Sequence, residues 1–168
     1  MSVGVRGVCY TINCMKTNVK CWGILGALDR EVALLREQMQ VDSSEQVLGT
    51  EFLTGTISGH RVVVACCGIG KVNAAACASY LLFVKGCDAI INAGIAGGVA
   101  KGLHTLDVVI SDELCFHDQD AVMLKYFPAR QFFKADETLR KLCVEVCSQP
   151  GFLTGAWREG RIATGDKF

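Results

Sequence analysis

Arg61-Val62-Val63-Val64-Ala65-Cys66-Cys67-Gly68-Ile69-Gly70-Lys71 is the stretch on which the fold turns. Its β-branched run suits a strand, its glycines suit a tight turn, and residues 72–84 behind it read as an Ala-rich helix able to approach a sheet closely. The same order recurs on either side. Upstream, residues 19–25 read as a buried strand and Gly26-Ala27 as a turn, and Asp29 opens an amphipathic helix with Val32, Leu34, Leu35 and Met39 apolar. Residues 51–57 and 61–67, joined by Ser58-Gly59-His60 and preceded by the polar stretch 42–46, carry a hairpin signal. Downstream, residues 89–92 form an apolar run fit for a strand covered on both faces, and Gly94-Ile95-Ala96-Gly97-Gly98 turns away from it. A further strand is expected at 106–111 and a helix at 136–148, and residues 161–164 read as the start of a last strand. Strands alternating with helices, with glycine at the strand ends, predict an α/β protein built on a mostly parallel sheet. Ligands in such sheets bind beyond the carboxyl ends of the strands, where Gly26, Gly68 and Gly94 fall.

Composition narrows the function classes. A chain of 168 residues with 51% hydrophobic content and no repeat or linker is expected to form one domain with a real core. Lys plus Arg balances Asp plus Glu at 17 each, which gives no electrostatic footprint for nucleic acid or an anionic membrane. The longest apolar run is far short of the about 20 residues a spanning helix needs. Ten cysteines would suggest disulfides in an exported chain, yet the first residues do not read as an export signal and no CxxC pair occurs. Buried free thiols in a reducing cytoplasm are the expectation. Residues 1–18 are expected to form a disordered extension, with Met15 a candidate for the true start, ahead of a domain over 19–168.

Four segments invite a chemical reading. Gly68–Lys71 resembles a phosphate loop, but Ala65, Val72 and Asn73 stand where the Walker and dinucleotide patterns want other residues, and a plain strand-to-helix turn accounts for it equally. Residues 92–98 have almost no side-chain bulk, which suits a floor for a flat ligand and also suits tight packing. Glu31 sits at the ligand edge of the sheet, where a carboxylate can act as general base on water or simply complement a helix dipole. His117-Asp118-Gln119-Asp120 has metal-like composition without further ligands at the right spacing, so a polar loop is the alternative. No GxSxG elbow is present.

The ordered set of segments resembles the 5′-methylthioadenosine/S-adenosylhomocysteine nucleosidases of the purine nucleoside phosphorylase superfamily. It comprises Gly23-Ile24-Leu25-Gly26-Ala27-Leu28 with Glu31, Cys67-Gly68-Ile69-Gly70-Lys71-Val72-Asn73-Ala74-Ala75, Ile90-Ile91-Asn92-Ala93-Gly94-Ile95-Ala96-Gly97-Gly98, Asp107-Val108-Val109-Ile110-Ser111-Asp112-Glu113 with His117-Asp118, Phe133-Lys134-Ala135-Asp136, and Thr164-Gly165-Asp166-Lys167-Phe168. The resemblance implies a three-layer α-β-α phosphorylase-like fold with a mixed, mostly parallel sheet. It also implies hydrolysis of the N-glycosidic bond of an adenine thionucleoside to adenine and a thioribose, as in methionine salvage, with no metal or organic cofactor. Glu31 then matches the carboxylate that activates water. Ala96 and Gly97 match residues lining the purine and ribose pocket, Leu28 and Ile69 match apolar contacts to the sugar and thioether, and Phe168 matches the aromatic residue stacking on adenine. The loop from His117 to Leu124 matches a homodimer interface whose apolar groups, here Ala121 and Leu124, enter the partner's pocket.

Some positions depart from the family. Ile95 stands where many members have Ser beside the water, and Leu124 where an aromatic residue is frequent. The family continues past the position of Phe168 with a Met-Glu pair gripping the ribose and a Ser-Asp pair protonating adenine, so the resemblance implies that this chain alone is inactive and poorly soluble. The rival activity is phosphorolysis, which wants arginine around phosphate; a non-catalytic remnant that binds adenine nucleosides is the rival of another class, and a general nucleotide-binding module a third.

Overall fold

The computed structural model describes residues 18–120, 122, 125 and 130–167. Two compact units divide the chain, Met1–Ile95 and Ala96–Phe168.

In the first unit β1 (Trp22–Gly26), α1 (Asp29–Gln38), β2 (Gln40–Val47), β3 (Thr50–Ile57), β4 (His60–Cys66), α2 (Lys71–Phe83) and β5 (Ala89–Asn92) follow one another. They form one mixed sheet ordered β2-β3-β4-β1-β5. β4, β1 and β5 run parallel, with Ile24 opposite both Val64 and Ile91, whereas β2, β3 and β4 form an antiparallel meander. The expected hairpin is present, turning at Ser58 and Gly59 with φ of 50° and 81°. The polar stretch 42–46, to which the sequence assigns no element, lies in strand β2. As an edge strand, most of its residues face solvent, so it has no apolar alternation to read; the backbone ladder to β3 holds it.

Side-chain alternation fixes the layers. Gly23 and Gly26 lie three residues apart on β1, so their Cα–H bonds point to opposite faces. A Cβ on Gly23 would lie 3.0 Å from Leu81 Cδ1 of α2, and one on Gly26 2.8 Å from Val32 Cγ1 of α1. One helix therefore covers each face, in α-β-α order. Cys21, Leu25, Val63, Ala65 and Cys67 share the α2 face and pack with Phe52 and Leu81. Leu81 has no exposed surface, and burying such a side chain contributes roughly 1.5–3 kcal/mol. At Gly55 β2 approaches β3 closely, because a Cβ there would overlap the Gln40 carbonyl oxygen. Overpacking against backbone has no flexible side chain to absorb it, so Gly55→Ala is expected to cost about 3 kcal/mol in urea unfolding; a loss below about 0.5 kcal/mol would contradict this close approach.

The second unit holds β6 (Val108–Phe116), β7 (Phe132–Lys134), α3 (Glu137–Cys147) and β8 (Trp157–Thr164). β6 pairs antiparallel with β7 and parallel with β8, and α3 packs on β6. Asp136 caps α3 through its Oδ1, which accepts from Leu139 N at 2.9 Å. β6 runs past its expected end at Ser111, and β8 begins four residues ahead of Arg161. Asp112 is the extra residue of a bulge that resets the alternation of β6, and β8 carries charged residues before its apolar end. Ile110 is the buried hydrophobic residue of this unit among the described residues.

Beside Ile110, Glu113 is a buried carboxylate, 8% exposed. Lys134 Nζ reaches its Oε2 at 2.8 Å, and Arg161 reaches Oε1 through Nε and Nη2, both at 2.7 Å. Arg161 also lies 4.8 Å over the Phe132 ring. The hydrogen bond from Lys134, aided by the charges of Lys134 and Arg161, holds the Glu113 pKa below the ordinary glutamate range. A carboxyl group whose pKa is lower folded than unfolded contributes stability above the unfolded value, about 4.3, and loses it as pH falls through the folded value. Unfolding measured against pH should therefore show a loss below about pH 4 that Glu113→Gln flattens. Identical acid profiles for the two proteins would contradict the pairing.

Candidate active site

Three parallel strands end together. β1 stops at Gly26, β4 at Cys66 and β5 at Asn92, with Gly26 beside Cys66 and Leu25 beside Asn92 in the register. The ladder runs one step further, since Cys67 N donates to the Gly26 carbonyl and Ala93 N to that of Leu25, both at 2.9 Å. The turns that follow these strands therefore share the carboxyl edge of the first unit's sheet.

Glu31 stands in the first turn of α1, whose N-cap is Leu28 in extended backbone. Leucine has no side-chain acceptor for the free amides of a helix start, so other groups take them. Glu31 N donates to the Leu28 carbonyl at 2.9 Å, and Glu31 Oε2 accepts from Ala27 N at 2.7 Å and Leu28 N at 2.9 Å. Those bonds satisfy a capping role. A further one exceeds it: Ile95 N donates to Glu31 Oε1 at 2.9 Å from beyond β5, 64 residues along the chain. Each carboxylate oxygen offers two acceptor positions. Oε2 accepts two amides and Oε1 accepts one, so among the described residues Oε1 keeps an acceptor position. A Cβ on Gly94 would lie 2.9 Å from that oxygen.

The other sequence candidates fall around this carboxylate unevenly. Leu28 joins Glu31 through its amide and, with Gly68 and Ile69, lines a cavity of about 580 Å³. Ile69 and Ile95 are exposed, at 57% and 68%. The turn before α2 is fixed by Asn73, whose Nδ2 donates to the Ile69 carbonyl at 2.8 Å, with Gly70 at a φ of 106°. Ala96 and Gly97 begin the second unit and are exposed, and a Cβ on Gly97 would meet nothing within 4 Å. Phe168, Ala121 and Leu124 lie outside the described residues, as do residues 1–17. His117 and Asp118 belong to the second unit, where His117 N donates to the Thr164 carbonyl at 3.0 Å and Asp118 Oδ2 accepts from Asp166 N at 2.7 Å.

Sequence reasoning does not single out the amides of Ala27, Leu28 and Ile95, because donors on the main chain carry no residue signature. It also misses Asp29, Arg36 and Glu51, which share the cavity with Leu28 and Ile69. The cysteines near the edge are free thiols, and burial pushes the Cys66 and Cys67 thiols up, away from the thiolate form a nucleophile needs. Cys87, packed against Cys21, is pushed up to about 12 by burial first and by that neighbour second.

Known proteins share this sequence pattern and fold. The family model described as the phosphorylase superfamily matches residues 22–168. A 5′-methylthioadenosine/S-adenosylhomocysteine nucleosidase of Oceanobacillus iheyensis is 42% identical over 153 residues, covering 87% of this chain and 65% of that protein. The chain thus spans just under two thirds of that relative's length. Among solved structures, the corresponding nucleosidase of Neisseria meningitidis, in complex with methylthio-immucillin-A, superposes with a TM-score of 0.81 at 34% identity over 89% of this chain and 66% of that one. Native futalosine hydrolase of Helicobacter pylori superposes with a TM-score of 0.80 at 28% identity, over 89% and 66% of the two chains. The mixed sheet, the glycine turns at its carboxyl edge and a match running through nearly all of the described residues agree with one another, and the chain belongs to the phosphorylase superfamily.

Proposed function

We propose that the protein hydrolyses the N-glycosidic bond of 5′-methylthioadenosine or S-adenosylhomocysteine, giving adenine and a thioribose. The observation that carries this reading is the Glu31 carboxylate, tethered by amides from two separate strand ends with one acceptor position left on Oε1. A water donating to that position is oriented with its lone pair away from Glu31. Attack forms an oxygen–carbon bond at C1′ while the C1′–N9 pair leaves with adenine, and the water's proton passes to Glu31. The resemblance assigns protonation of adenine to the Ser-Asp pair that follows position 168 in the family. Ala96, Gly97 and Phe168 are proposed to receive the purine and ribose, with Leu28 and Ile69 against the sugar and thioether.

Phosphorolysis fits less well. An attacking phosphate needs cations; Arg30, next to Glu31, is exposed, and Arg36, which lines the cavity with Leu28, is flanked by the Asp29 and Glu51 carboxylates that repel a lone anion. A carboxylate aimed at the same place repels an anion and accepts from water. Free thiols support a place in the reducing cytoplasm, and no described helix is long and apolar enough to cross a membrane. Exposed Val72 and Phe83 on α2, at 79% and 84%, support a homodimer.

The test is adenine release, with and without phosphate, from the chain and from the chain extended by the final third of the Oceanobacillus iheyensis relative. Phosphate-independent release of adenine by the extended protein is expected. Strict dependence on phosphate, or no release from either nucleoside, would overturn the reading.

A further inference from the structure

The cavity lined by Leu28, Gly68 and Ile69 is also lined by three charged side chains, Asp29, Arg36 and Glu51. They form one group. Arg36 Nη1 lies 3.4 Å from Asp29 Oδ1, and Nη2 lies 4.0 Å from Glu51 Oε2. Charge-assisted pairs close to about 2.7–2.9 Å when they are fully made, so both contacts are loose. The Arg36 side chain is 25% exposed, and its Nε is buried without a hydrogen-bond partner. The buried Nε is out of a ligand's reach, but Nη1 and Nη2, held only by these long contacts, retain donor capacity that a ligand can use. Its carboxylate neighbours are wetter, at 85% for Asp29 and 38% for Glu51, and Glu51 Oε1 already accepts from Ser44 Oγ at 2.8 Å.

The sign of the charges selects the ligand. A lone anion approaching Arg36 would meet two carboxylates, and a lone cation approaching them would meet the guanidinium. A zwitterion satisfies both, with its anionic end on Arg36 and its cationic end between Glu51 and Asp29. A methylthio group brings no charge into the cavity. An α-amino acid attached through a thioether brings one carboxylate and one ammonium group, a few bonds beyond the sulfur placed against Leu28 and Ile69.

We infer that Arg36, with Glu51 and Asp29, forms a specificity site for the amino-acid end of an adenine thionucleoside, so that a zwitterionic tail is favoured over a neutral one. The inference rests on the nucleoside reading of the Glu31 edge. It makes these three residues specificity determinants that do not touch the reacting atoms.

Calorimetric titration of the extended protein, carrying Glu31→Gln so that the nucleosides are bound and not cleaved, with S-adenosylhomocysteine, its carboxyl methyl ester and 5′-methylthioadenosine tests it. Arg36→Met is expected to raise the Kd for S-adenosylhomocysteine about tenfold and leave that for methylthioadenosine unchanged, with Glu51→Gln giving a smaller change of the same kind. With Arg36 and Glu51 in place the methyl ester should bind about tenfold more weakly than the free carboxylate, a comparison that involves no change at the specificity site. Equal effects on both nucleosides, or no penalty for the ester, would overturn the specificity site while methylthioadenosine binding still upheld the nucleoside reading. Failure of the extended Glu31→Gln protein to bind any of the three would remove both.

Discussion

Glu31→Gln should lower adenine release by roughly 10²–10⁴-fold, the range lost with a positioned general base, while nucleoside affinity stays within a few-fold. The glutamine carbonyl can take the place of Oε2 and still accept from Ala27 and Leu28, so the turn and the start of α1 keep two of their bonds. Its amide NH₂ then stands where Oε1 was, a donor facing the Ile95 N–H and facing any water. The proton acceptor is lost and the water is left without orientation. Progress curves for the extended protein, set beside calorimetric Kd values, separate the two effects: a fall confined to kcat is expected. Turnover within tenfold of the unsubstituted protein would remove Glu31 from the chemistry and return it to helix capping.

Much of this arrangement is legible in the amino-acid sequence, for identifiable reasons. β4 is buried from Val62 to Ala65, and α2 and β5 turn Cys77, Leu81 and Ala89 into the core, so their apolar positions and glycine punctuation survive as sequence signals. β2 leaves no such trace. Its residues answer to solvent on both sides, and only its backbone pairing with β3 makes it a strand. The expected end of β6 falls near Ser111 because the bulge at Asp112 breaks the alternation, and Glu113 then looks like a polar residue outside a strand when it is the buried centre of an ion-pair group. Glu31 is the instructive case. From composition and position it cannot be told from any acidic residue in a first helical turn, and only the family resemblance lends it a role. The bond that distinguishes it comes from Ile95 N, a main-chain donor that any residue but proline would supply at 95. Arg36 is hidden for the opposite reason: on a helix surface an arginine reads as solvated, and only the fold sets it between Asp29 and Glu51.

Gly94→Ala and Gly97→Ala should separate the two meanings of the glycine-rich segment. At Gly94 the added methyl would sit 2.9 Å from Glu31 Oε1 and 3.2 Å from Cδ, so the carboxylate has to move. It is the end of a side chain, but its bonds to Ala27, Leu28 and Ile95 mean that it cannot swing aside without breaking them. A displacement of about 1 Å at a reacting group costs on the order of 10²-fold, and Gly94→Ala is expected to lose that much adenine release. Gly97 has open space where its Cβ would be, so Gly97→Ala should leave thermal stability unchanged and affect only nucleoside affinity, if at all. A cycle with Glu31→Gln tests the route of the Gly94 effect. When both substitutions act by removing the same oriented water, the double variant should be about as slow as Glu31→Gln alone, because a base already lost cannot be misplaced. Losses that multiply would mean that Gly94 contributes through something other than Glu31, such as contact with the purine, and that the glycine is there for the ligand and not for the carboxylate.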